Sequence, residues 1–171
     1  SARRVAKLLG KERVLLIRPG SDPHLALAVA HELLTRHRRA VEQRFIDSYS
    51  EHRTWRIFRD LARSERFAPE AVAERIAPEP RFAERILDGI RSIAARFADP
   101  ETVPINVPSV GLSQTKGAVS HCLWGNTLAM LGKYGLKEDG SAAGGTLRVP
   151  GQINAESEVQ ALSRLFFFGR I

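Results

Sequence analysis

Apolar residues recur at helical spacing through the first hundred positions and then change character. The opening run Arg13-Val14-Leu15-Leu16-Ile17-Arg18, closed by Pro19-Gly20, reads as a short buried strand over 13–18 ending in a turn. Ser21-Asp22-Pro23 is a helix start, because Ser21 or Asp22 can cap orphan N–H groups and proline suits the first helical turn. From there the spacing of Leu25, Ala28, Val29, Leu33, Val41 and Phe45 predicts one helix over 23–46. Further helices are expected over 50–64, 69–77 and 80–97, separated by Pro69, Pro78 and Pro80. Residues 22–98 are therefore expected to form an all-helical block.

After Asp99-Pro100 the chain turns extended and proline-interrupted from 103 to 113. Helical spacing returns at 117–132, with Val119, Leu123, Leu128 and Leu131. Residues 137–145 read as a charged, glycine-rich loop. Residues 146–150, 157–162 and 165–171 read as strands. The expected fold class is α+β: a split, mostly antiparallel β core with a helical lobe inserted after the first strand, all within one domain spanning 1–171. Its parts would be the first strand at 13–18, the lobe at 22–98 and a β-rich half at 103–171.

Composition narrows the function classes. The chain has 171 residues, 43% hydrophobic and 26% charged, which is globular usage and enough chain for a core without staples. One cysteine, Cys122, excludes an internal disulfide framework and any multi-cysteine zinc site. No metal site is expected. No apolar run approaches the roughly 18 residues of a membrane span, and no secretion signal is visible in the opening residues. The net charge is +7, and residues 1–100 carry 20 Lys+Arg against 14 Asp+Glu. An anionic partner, nucleic acid or an acidic protein face, is one reading of that excess, and solvated helix faces are the other. In the same region, 67–93 could form a helix-turn-helix, although Pro78 and Pro80 depart from the usual tight turn containing glycine.

Two catalytic signatures are excluded by single residues. Arg18-Pro19-Gly20 places proline where a phosphohistidine chemistry needs histidine, and proline cannot accept a phosphoryl group. His121 with Gly125-Asn126 has the wrong spacing for a nucleotidyl-transferring histidine motif, and Thr127 stands where a base is needed.

Glu156-Ser157-Glu158 is the remaining candidate. In a strand, residues i and i+2 share a face, so both carboxylates would line one cleft. In a helix over 155–165 they would diverge by about 200° and no site would form. On an edge strand they would simply face solvent.

Taken in order, Arg18 in LLIRPGSD, Ser113-Gln114-Thr115 in VGLSQTKGAVSH, and Glu156/Glu158 in AESEVQALS resemble the Arg-Ser-Glu class of ADP-ribosyltransferase toxins, the cholera-toxin-like group. The middle element is Ser-Gln-Thr rather than the family's Ser-Thr-Ser, and the helical block matches no part of that pattern. The resemblance implies transfer of ADP-ribose from NAD to a protein side chain, arginine favoured, or hydrolysis of NAD at the same site. Glu158 would stabilise the oxocarbenium-like ribose, and Glu156 would orient and deprotonate the acceptor. Arg18 would bind the NAD phosphates, and Ser113 and Thr115 would steady Glu158. Gln152 and Asn154 would touch the acceptor, a target protein whose identity the sequence does not give. The resemblance also implies a secreted or injected bacterial effector. The competing expectation is a non-enzymatic nucleic-acid or protein-binding module that uses the basic helical half.

Overall fold

The computed structural model describes residues 7–8, 10, 14–107 and 117–147. The fold is α+β, helix-dominated, and organised around one central helix, α1 (Asp22–Arg36). Its sequence, DPHLALAVAHELLTR, is apolar on every side up to Leu34, and a helix with that pattern is stable only when surrounded. It is surrounded: α3 (His52–Ala62), α4 (Pro69–Ile76), α5 (Ala83–Ala98) and α6 (Gly117–Ala129) all pack on it. Ala26, Ala28, Val29, Ala30 and Leu33 are completely buried. Small alanines let neighbouring helices approach from several sides, while Leu33 fills the space with Ile46, Ile76, Ile86 and Ile90.

Two polar residues of α1 are also buried. The His31 Nδ1–H donates to the Ala62 carbonyl at 2.9 Å, tying α1 to the end of α3. That carbonyl has no proton to give, so the Nδ1 tautomer is fixed. Glu32 meets the Arg36 guanidinium one turn later, Nε to Oε1 at 3.4 Å.

The helix expected over 23–46 is broken. It ends at Arg36, His37 leaves the helical region (φ −115°, ψ 36°), and a 3₁₀ turn follows at Arg38–Ala40. Glu42 N–H then bonds to the Met130 carbonyl at 2.9 Å, and α2 (Gln43–Tyr49) starts afresh. No glycine or proline marks this break. The redirection seats Ile46 in the core, 1% exposed. The other helices of the block match the expected ones to within a few residues, and the 3₁₀ turn Pro80–Phe82 occupies the start foreseen for the last.

Residues 14–18, expected as strand, have no ladder partner among the described residues. They lie against helices instead. Arg18 N–H bonds to the Ile76 carbonyl at 2.8 Å, and Arg85 Nη2 donates to the Val14 carbonyl at 3.2 Å. Leu15 lies over Gly89, where any added Cβ would fall 2.5 Å from Leu15 Cδ1.

The sheet is small and mixed rather than a mostly antiparallel core. β3 (Ala142–Thr146) is central, parallel to β1 (Ile105–Asn106) and antiparallel to β2 (Gly135–Leu136). The glycine-rich stretch foreseen as loop is thus the middle strand. Its glycines allow a close approach that larger residues would prevent: a Cβ on Gly144 would sit 2.7 Å from the Lys133 carbonyl oxygen and 2.8 Å from that of Pro104. The part of 103–171 that is described therefore holds three short strands and the 13-residue helix α6.

Helix α6 closes on Gly132, in the left-handed region at φ +64°. Lys133 N–H bonds to the Leu128 carbonyl and Gly132 N–H to that of Ala129, the paired bonds of a Schellman ending. The buried Lys133 ammonium then donates to the carbonyls of Asp99 and Thr102, joining the end of α5 to the start of the sheet. Burial pulls its pKa below the ordinary 10.5, against the opposing pull of Asp99. The unfolded chain therefore holds more protons than the folded one as pH approaches 10.5 from below, and folding stability gains with rising pH in that window. Urea midpoints measured from pH 7.5 to 10.5 are expected to rise for the natural chain relative to Lys133→Met; parallel curves would refute the assignment.

Candidate functional site

Of the seven residues assigned from sequence, six lie outside the described residues: Ser113, Thr115, Gln152, Asn154, Glu156 and Glu158. Arg18 is described. It sits at the end of segment 14–18 rather than on a strand, its Nη2 donates to the Ala77 carbonyl at 3.1 Å, and its backbone N–H bonds to the Ile76 carbonyl. Its surroundings are the C-terminal end of α4.

The helix-turn-helix candidate becomes α4, a six-residue connection and α5. Recognition would need the outward face of α5. That face carries Glu84, Arg85, Asp88 and Ser92, and Leu15 lies across it at Gly89. It is of mixed charge and already overlaid.

The charge is distributed differently from the coarse half-chain count. Residues 1–21 carry Arg3, Arg4, Lys7, Lys11, Arg13 and Arg18 against Glu12 alone. The helical block 22–98 carries fourteen arginines against twelve acids, so it has no large excess. What it has is local segregation. Arg59, Arg81 and Arg91 pair with Asp60, Glu79 and Glu70 at 2.8, 2.9 and 2.6 Å. The side chains of Arg38 and Arg39 have no ion pair or hydrogen bond among the described residues.

These two arginines belong to a groove of about 670 Å³ where the C-terminal ends of α1 and α5 meet. Thr35, Arg36, His37, Arg38 and Arg39 line one side, and Ala98 and Pro100 the other. No acidic side chain lines it. The nearest in sequence, Asp99, has its carboxylate engaged with the Glu101 N–H at 3.0 Å and the Thr102 hydroxyl at 3.3 Å. All three guanidinium-bearing residues are exposed. They present forked donors to solvent.

The helix break creates this grouping. On the continuous helix expected from sequence, residues 36 to 39 would fan out over roughly 300° at 100° per residue. The 3₁₀ turn folds them onto one concave surface. The run Arg-His-Arg-Arg was the available signal, but without the break it pointed in every direction. A second basic surface lies on α3, whose exposed residues include Arg53 and Arg56 beside the exposed Ile57.

Among the described residues no group of His, Cys, Asp or Glu is arranged to hold a metal ion, and no helix is long and apolar enough to cross a membrane. Comparison with known protein families, with characterised proteins and with solved structures finds no match to this chain.

Proposed function

We propose that the chain is a binding module that grips the phosphodiester backbone of a nucleic acid in the arginine groove between the ends of α1 and α5. The observation that carries this is the acid-free groove wall of Arg36, Arg38 and Arg39, two of whose side chains have no partner among the described residues. Guanidinium forks match phosphate oxygens bidentately, and a groove lined by one sign of charge concentrates an anionic polymer. Engaging three phosphates gives a slope of log K against log salt near −2.7 on duplex DNA. Affinity then falls roughly forty-fold between 50 and 200 mM salt. The double variant Arg38→Ala/Arg39→Ala is expected to flatten that slope by about 1.8 while leaving the urea midpoint in place. Fluorescence-anisotropy titrations with a labelled duplex at several salt concentrations read both quantities. An unchanged slope in the variant would remove the groove from the binding surface.

ADP-ribosyl transfer from NAD is the second proposal, resting on the chain order of Arg18, Ser113, Glu156 and Glu158. It predicts that NAD raises Tm, since a ligand that binds only the folded state stabilises it. It also predicts release of nicotinamide that Glu158→Ala abolishes. The groove proposal predicts neither effect, so melting curves with and without NAD separate the two.

A further inference from the structure

A second cavity, of about 240 Å³, opens between α2, α3 and α6. Its floor is apolar and fully packed: Ile46 is 1% exposed, Phe58 6% and Met130 1%. Its wall is aromatic, because half-buried Trp55 stands beside Phe58 with ring centroids 6.2 Å apart. Its rim is polar. Glu51 accepts a hydrogen bond from the Thr54 hydroxyl, which fixes the carboxylate and leaves lone pairs on both oxygens. The Asn126 side-chain amide makes no hydrogen bond among the described residues.

A flat ring can stack on Trp55 over the apolar floor. Its edge then meets an acceptor-only carboxylate and an amide that can donate or accept. Two adjacent N–H donors on that edge satisfy the carboxylate best. We infer that this cavity binds a flat nitrogen heterocycle bearing adjacent N–H donors, the chemistry of an amino-substituted nucleobase. Splayed-out bases are held in this manner, by stacking and by hydrogen bonds to their edges. The size suits one small ring system rather than a drug-sized ligand.

The inference does not rest on the arginine groove, because an unphosphorylated nucleoside carries nothing for guanidinium to hold. The test uses full-length chain carrying Trp124→Phe, so that Trp55 is the remaining emitter. Guanosine, which carries N1–H and N2–H donors side by side, is expected to quench its fluorescence saturably. Uridine, which lacks the exocyclic amine, is expected to bind about tenfold more weakly. Ala129→Leu fills the cavity without removing a polar partner and should weaken guanosine binding about tenfold or more. Glu51→Gln should erase the preference over uridine. Absence of saturable quenching, equal binding in Ala129→Leu, or equal affinity for uridine each overturns the inference. A single-stranded oligonucleotide that competes with guanosine identifies the occupant as a base within a polymer; failure to compete identifies a free nucleoside. Retained salt-dependent DNA binding alongside failed nucleoside binding leaves the groove proposal standing.

Discussion

Gly144→Ala is expected to unfold at a markedly lower urea midpoint, with a loss of roughly 2–4 kcal/mol. Two costs combine. The backbone at Gly144 has φ +146°, a region open essentially to glycine alone. The new methyl would also lie within 2.8 Å of two carbonyl oxygens, those of Lys133 and Pro104, and both belong to backbone that cannot swing aside. Relief requires β3 to move away from β1. The amides of Gly145 and Leu147, bonded to the Pro104 and Asn106 carbonyls at 3.1 and 2.9 Å, should then exchange with solvent much faster. Gly140→Ala is the matched control. It also has positive φ, +81°, but its Cβ would point into open space, so about 1 kcal/mol is expected. Equal midpoints for the two variants would mean that β3 does not thread between those carbonyls.

Leu33→Ala is expected to cost about 2–5 kcal/mol. Leu33 is completely buried near the end of the central helix, in the same cluster as Ile46, Ile76, Ile86 and Ile90. Truncation leaves a void that four packed elements cannot close together, because each is held by its own contacts to α1. Ile57→Ala, on α3 and 60% exposed, should change stability by no more than about 0.5 kcal/mol. Urea titration of both variants reads the difference. A similar loss for both would place Leu33 outside the core.

The arginine groove and the cavity differ in how they could be read from sequence. Ile46, Phe58 and Met130 lie far apart in the chain, and only packing brings them together. Arg36, Arg38 and Arg39 were adjacent from the start, and what was hidden was the direction of their side chains. The helix start at Ser21-Asp22-Pro23 was legible and correctly placed, though Ser21 caps with its backbone carbonyl, which accepts from His24 and Leu25, and not with its side chain. The first strand was misread. Val14 to Arg18 has the composition of a buried strand, but the partners it found are helices. Nor is the run fully buried, for Leu16 is 51% exposed; an apolar run favours burial, but a strand also needs a neighbouring strand edge.

The sequence by itself determined the helix start at Asp22, the helices expected at 50–64, 69–77 and 80–97, the change of character after Asp99-Pro100, a helix expected over 117–132 that ends at Ala129, and the α+β class, because each depends on local periodicity and on proline or glycine punctuation. Tertiary structure alone decided the break at His37, the placement of 14–18 over α5, and the glycine strand at the centre of a mixed sheet. Those features are settled by which distant surface a segment buries: Ile46 seeks the core beside α6, Leu15 seeks the space above Gly89, and Gly144 accepts two carbonyls that no side chain would tolerate. Periodicity counts neighbours along the chain, and these contacts lie tens of residues away.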